Sequence, residues 1–138
     1  MIIRYELEKD LISGKLAAQD LPSAWNAKYK EYLGVEIEND AEGCLQDIHW
    51  SDGSFGYFPT YLYGSIISAQ IWSHYTQSHQ EWRTDFKSGN YLHFRNWLKD
   101  NFHQYGSIYT TEQLIERAFG EKILVKYYED IITQRYLS

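Results

Sequence analysis

Three observations predict an all-α fold. Apolar residues recur at helical spacing in every long segment, no run alternates as a strand would, and both prolines and most glycines stand near predicted helix ends. The first helix is predicted over 2–13, with Ile3, Leu7 and Leu11 on one side and Gly14 stopping it. Its apolar residues begin directly after Met1, with no capping residue ahead of them, so it reads as cut from something longer. The second lies in "QDLPSAWNAKYKEYLG", where Asp20 is the candidate N-cap, Pro22 suits the first turn and Gly34 stands at the C-terminal end. After the acidic connector "VEIENDAEG", a long helix runs from about Pro59 to Ser78. A proline is tolerated only in its first turn, because deeper in the helix it removes a donor and clashes. Tyr63, Ile67, Ile71 and Tyr75 form one row of that helix, with Leu62, Ile66 and Ala69 beside it, a stripe wide enough for a central helix. "YLHFRNWLKDNFHQYG" places Tyr91, Phe94, Leu98 and Phe102 on one face and ends at Gly106. Thr110 and Gln113 form a capping box ahead of Leu114 and Ile115, and a last helix over 124–136 turns Leu124, Tyr128, Ile131 and Ile132 inward.

The 138 residues fit a single domain, 1–138, with enough chain for a core. Composition is globular, 43% hydrophobic and 23% charged. The net charge of −6, with no basic block, argues against nucleic acid as a partner. No window of eighteen apolar residues exists and charges interrupt the start at once, so neither a membrane span nor a signal peptide is expected. A lone cysteine, Cys44, excludes an internal disulfide and suits a cytoplasmic location. Nothing basic lies next to it in sequence, so it reads as buried and inert.

The segment "GCLQDIHWSDGSFGYFPTY", Gly43 to Tyr61, concentrates one histidine, two carboxylates, five aromatic residues and three glycines in nineteen positions. Packing alone rarely asks for that mixture; a site does. Read alone, His49 would be an ordinary core histidine, Asp47 a turn residue and Trp50 a packing residue. Tyr57 and Tyr61, four apart at the start of the long helix, can project both hydroxyls from one face. Gly53 and Gly56 let the backbone come close to a bound molecule.

The octet Gly43-Cys44-Leu45-Gln46-Asp47-Ile48-His49-Trp50 resembles the G-x-x-Q-D-x-H-W pattern of the zinc carboxypeptidases of peptidase family M32, typified by the Thermus aquaticus enzyme. "IIRYELEKDLISGKL", "DLPSAWNAKYKEYLGV" and "YTTEQLIERAFGE" are similar, in order, to the C-terminal portion of those enzymes; after Gly120, "KILVKYY" lacks the expected asparagine-proline turn. The resemblance implies removal of C-terminal residues from peptides by a metal-activated water, with zinc held through H-E-x-x-H and a further glutamate. That motif is missing. His49, His74, His79, His93 and His103 are followed by Trp, Tyr, Gln, Phe and Gln, and His74 and His79 are five apart, not four. The chain is therefore expected to be the C-terminal part of such an enzyme without its zinc-binding half. Alone it should be inactive, with no metal ligands and no cofactor of its own.

The resemblance further implies roles for His49, Tyr61 and Tyr57 as catalytic groups: His49 and Tyr61 donating to the oxyanion or carbonyl, Tyr57 contacting substrate, with the two tyrosines interchangeable at this stage. Gln46 and Asp47 would orient His49 or bind substrate backbone. An arginine is expected to read the substrate carboxylate, and spacing does not select among Arg4, Arg83, Arg95, Arg117 and Arg135. The implied partners are peptide C-termini, the missing N-terminal catalytic region and a second copy of the chain. The alternative is a non-enzymatic helical module, a truncated remnant that binds peptides or partners through its aromatic cleft.

Overall fold

A computed structural model describes residues 1–137, and every regular element among them is helical. The backbone divides into two compact units, Met1–Tyr63 and the part from Gly64 onward.

In the first unit, α1 (Ile2–Ile12) and α2 (Leu21–Leu33) pack on each other, with a 3-10 turn, Ala18–Asp20, ahead of α2. Ile3 and Leu7 of α1 meet Trp25 of α2 and Cys44 of the following coil, and Leu16, Leu21, Tyr29 and Trp50 close around them. Trp25 is fully buried and stacks on Tyr29, with ring centroids 5.1 Å apart. Burying a Trp side chain removes more apolar surface than any other single residue in such a core can. Gly34 ends α2 in the left-handed region, its N–H bonded to the Lys30 carbonyl, as its position predicts. Asp20 occupies the N-cap position but its side chain makes no cap bond. The 3-10 turn gives it helical φ and ψ of −93° and −4°, whereas a capping side chain needs an extended backbone to reach back to the helix. Met1 likewise precedes α1 without a side-chain cap.

The helix α3 (Phe58–Ser78) begins in the first unit and continues into the second, with Pro59 in its first turn. The second unit adds α4 (Trp82–Lys87), α5 (Leu92–Asn101), α6 (Thr111–Phe119) and α7 (Lys126–Tyr136). Tyr75 is fully buried, 4.6 Å from the Phe94 ring and 5.4 Å from Trp97, while Trp72 meets Trp82 and Phe86 edge-on. Thr110 and Gln113 form the capping box of α6, each side chain bonded to the other's backbone N–H.

Two boundaries and one short helix differ from the sequence reading. The helix read through Gly106 stops at Asn101: Phe102 leaves helical space (φ −133°) with its side chain in the core, and a 3-10 turn, His103–Tyr105, follows. The α4 helix carries too few residues to show a period; its signal is the Trp82–Phe86 pair, four apart. The last helix starts at Lys126, two residues after Leu124, whose N–H is bonded to the Gln70 side chain. Tyr63, placed on the apolar stripe by spacing, is 40% exposed.

Candidate active site

The segment between α2 and α3 is held by its neighbours in the first unit. Gly43 is buried, and a Cβ there would lie 3.2 Å from Ile37 Cγ2 and 3.3 Å from the Asn39 carbonyl, so the octet begins where only glycine fits without displacement. Asp47 forms an ion pair with Arg4 of α1. The same guanidinium donates to Tyr29 Oη at 2.9 Å and lies 5.0 Å from the Trp25 ring centroid. One turn along α1, Glu8 accepts from Trp50 Nε1 at 2.8 Å and from the Gly56 backbone N–H. Between these anchors the chain turns tightly: Ser54 N–H bonds to the His49 carbonyl at 2.8 Å, and Gly53 and Gly56 both take φ of +73°, the left-handed region that glycine enters without strain.

This frame presents three of the residues singled out from the sequence to one another. His49 Nε2 is 3.1 Å from Tyr61 Oη, and the His49 ring lies 4.7 Å from Phe58 and 5.6 Å from Tyr57. Tyr57 and Tyr61 meet edge-on, with centroids 5.3 Å apart. His49 Nδ1 is buried and has no hydrogen-bond partner among the described residues. A buried N–H without an acceptor costs more than a buried ring lone pair, so hydrogen-bond accounting assigns the proton of the neutral ring to Nε2. His49 then donates to Tyr61 Oη, and the Tyr61 O–H points its own proton away from the imidazole. Burial, and then the neighbouring Tyr57 hydroxyl and the Asp47 carboxylate, hold the Tyr61 phenol above its usual 10.0, so the hydroxyl remains a donor at neutral pH.

Gln46 and Asp47 stand apart from that trio. The Gln46 amide donates to the carbonyls of Glu42 and Gly43, and the Asp47 carboxylate is taken by Arg4; neither bonds the His49 ring. Among the arginines, Arg4 is enclosed by Asp47, Tyr29 and Trp25, Arg83 lies over Trp82, and Arg117 lies over Tyr105 and Tyr109. Arg4 as the partner of Asp47, and Glu8 altogether, were missed in the sequence. Their signal was two charged residues four apart beside the Ile3–Leu7 row, on the face of α1 that turns inward.

No three His, Cys, Asp or Glu side chains converge among the described residues. The closest histidines, His79 and His93, stack face to face at 3.7 Å and 13°, which sets their nitrogen lone pairs side by side instead of converging on one point. A groove of the second unit, about 830 Å³ between Trp72, Phe94, Leu98 and Ile131, is mostly apolar; Arg135 lines it, and His49, Tyr57 and Tyr61 do not. No helix among the described residues is long and apolar enough to cross a membrane.

The all-helical fold and the framed Gly43–Trp50 segment are matched by a family model and by solved structures. The family model described as Carboxypeptidase Taq (M32) metallopeptidase matches residues 1–136, and the chain belongs to that family. It is 38% identical over 136 residues to Carboxypeptidase 1 of Bacillus subtilis, covering 99% of this chain and 27% of that protein. It is 34% identical over 137 residues to Thermostable carboxypeptidase 1 of Pyrococcus furiosus, covering 99% and 28%. Among solved structures, Trypanosoma cruzi metallocarboxypeptidase 1 superposes with a TM-score of 0.90 at 40% identity, covering 99% of this chain and 29% of that one. The M32 carboxypeptidase from Deinococcus radiodurans does so with a TM-score of 0.91 at 34% identity, covering 98% and 27%. The chain thus spans somewhat over a quarter of the length of these relatives.

Proposed function

We propose that this chain supplies the substrate-side half of a metallocarboxypeptidase cleft, in which His49 and Tyr61 stabilise the oxyanion formed when a C-terminal peptide bond is attacked. The observation that carries this reading is the 3.1 Å contact between His49 Nε2 and Tyr61 Oη, inside a motif framed by ion pair and glycine turns. His49 donates to the Tyr61 oxygen, and the Tyr61 proton, which is shared with the Tyr57 hydroxyl, is the one that turns to a developing negative charge. A preorganised donor of this kind costs little reorganisation during the reaction. Tyr57, exposed beside Tyr61, contacts the substrate, and the backbone at Gly53 and Gly56, open on the side a Cβ would occupy, lets the peptide approach. Asp47 orients the His49 segment through Arg4, and Gln46 shapes the turn through Glu42 and Gly43. Zinc, in this reading, is held by residues that this sequence does not contain, and the chain alone does not hydrolyse peptides. The enzyme acts on peptide C-termini in the cytoplasm, as a homo-oligomer.

The test is a chimaera in which this chain replaces the matched 136 residues of the Bacillus subtilis enzyme. His49→Ala and Tyr61→Phe should each lower kcat for a dipeptide-terminated substrate by about 100-fold or more, with a much smaller change in KM. Turnover near that of the unmodified chimaera in either variant removes that residue from the mechanism. The exposed rings of Phe55, Tyr57 and Tyr61 favour a second reading, a module that binds peptides without cleaving them. Saturable binding of a free-carboxylate peptide by the 138-residue chain, lost on amidation, together with an inactive chimaera, would favour it.

A further inference from the structure

Glu8 is the only buried carboxylate among the described residues, 7% exposed, and it faces the turn between His49 and Tyr57. One of its oxygens accepts from the Trp50 indole at 2.8 Å and the other from the Gly56 backbone N–H. The two donors lie 42 and 48 residues away in sequence, and they bracket the Trp50–Gly56 turn at both ends. His49 precedes the first anchor and Tyr57 follows the second. Without this carboxylate the Trp50 indole and the Gly56 N–H both lose the acceptor that holds them to α1.

We propose that Glu8 is a positioning residue for the His49–Tyr61 pair, acting through Trp50 and Gly56 as a two-point clamp. The inference rests on the reading of that pair as the reacting donors, and the chain of contacts runs as follows. Trp50, held by Glu8, packs edge-on against Phe58 at 5.7 Å and Trp25 at 6.2 Å. His49 lies on the same Phe58 ring at 4.7 Å. Phe58, 1% exposed, opens α3, the helix that carries Tyr61. The separation between an imidazole on the turn and a hydroxyl on the helix is therefore set by how the turn is seated against α1. Arg4, one turn earlier on α1, fixes Asp47 two residues before His49. So α1 grips the segment on both sides of the histidine, Arg4 before it and Glu8 on the side facing Tyr57. Catalytic donors need placement to within about 0.5 Å, which a turn with two left-handed glycines does not supply by itself.

A two-acceptor clamp has a specific chemical requirement: glutamine has the same shape but only one oxygen, and its amide N–H₂ would face a second donor. In Glu8→Gln, the imidazole ¹⁵N signals of His49 in the 138-residue chain should move from a single Nε2–H tautomer toward an exchanging mixture, while those of His74, His79 and His93 stay in place. In Glu8→Gln combined with Trp50→Phe one donor is gone, so the remaining oxygen serves Gly56 and the His49 signals should return toward native. In the chimaera, Glu8→Gln should lower kcat roughly 10- to 100-fold with little change in KM, the signature of a misplaced donor. Unchanged His49 signals in a folded Glu8→Gln chain, with a faster-exchanging Trp50 indole N–H, would overturn the proposal. So would failure of Trp50→Phe to restore them. Should Glu8→Gln not fold, Glu8→Asp provides the same tautomer readout with both oxygens kept and the reach shortened. The NMR outcome does not depend on turnover: if His49→Ala leaves the chimaera active while the His49 signals still follow Glu8, the proposed function fails and the clamp stands.

Discussion

Tyr127 donates its hydroxyl proton to Glu121 Oε1 at 2.6 Å, and the same oxygen lies 2.9 Å from His74 Nε2 and 3.0 Å from Gln70 Nε2. This shared acceptor ties the loop before α7 to α3. The Tyr127 and His74 bonds hold the Glu121 carboxyl down at about 2, from a usual 4.5, and the same carboxylate pushes the Tyr127 phenol up to about 12, from a usual 10.0.

Stability of the second unit should therefore fall at both extremes of pH. For Glu121 the depressed value means a contribution fully present above 4.5 and lost as the pH drops toward about 2. For Tyr127 the raised value means a contribution present below 10.0 and lost as the pH climbs through about 12. The carboxylate is partly open to solvent, so the effect is on the order of 1 kcal/mol. Urea unfolding from pH 2 to 6 checks it: Tyr127→Phe should flatten the acid slope, and an unaltered slope would show that the bond is not coupled to folding.

Gln70 should be intolerant of an apolar replacement. It is fully buried; its amide donates to Glu121 and to the Lys122 carbonyl, and its oxygen receives the Leu124 N–H, each at 3.0 Å. Gln70→Leu keeps the volume but strands two backbone groups, a loss of about 2–4 kcal/mol. Equilibrium unfolding measures it, and a change below about 0.5 kcal/mol would mean that water replaces the lost partners.

Two glycines should respond in opposite directions. Gly43→Ala forces the new methyl against Ile37 and the Asn39 carbonyl and should destabilise by about 1–3 kcal/mol. Gly64 lies within α3, outside the left-handed region, with nothing within 4 Å of a Cβ, so Gly64→Ala should stabilise by about 0.5–1 kcal/mol. Thermal unfolding of the two variants side by side tests the contrast, which fails if both move the same way.

The phenol of Tyr61 makes a further prediction for the chimaera. Its proton is held more tightly than in a free tyrosine, by burial first and by Tyr57 next. A donor role is present while the proton remains and disappears as the pH rises through the raised value. Turnover should thus lose its Tyr61-dependent part only above pH 10.0, and Tyr61→Phe should abolish that limb. A limb that persists in Tyr61→Phe belongs to another group.

Local signals made much of this protein legible in its sequence. The capping box at Thr110, the glycine after α2 and the proline opening α3 act within a few residues, so they mark helix ends without any tertiary knowledge. The octet from Gly43 to Trp50 likewise marked the family and the segment that gathers His49, Tyr57 and Tyr61, because a motif is a local pattern. Where a boundary differs, tertiary packing outweighs the local pattern: the core takes Phe102, whose backbone leaves helical space and ends α5.

What the sequence by itself determined is the all-helical class, the family and the place of the reactive segment, since periodicity, caps and motif spacing are all written within one or two turns of chain. Only the tertiary structure decided which oxygens hold that segment. Arg4 meets Asp47 across 43 residues, Glu8 meets Trp50 and Gly56 across 42 and 48, and Gln70 meets Glu121 across 51. No periodic rule links positions so far apart. Their pairing follows from burial, which makes an unpaired donor costly and leaves folding to choose the acceptor.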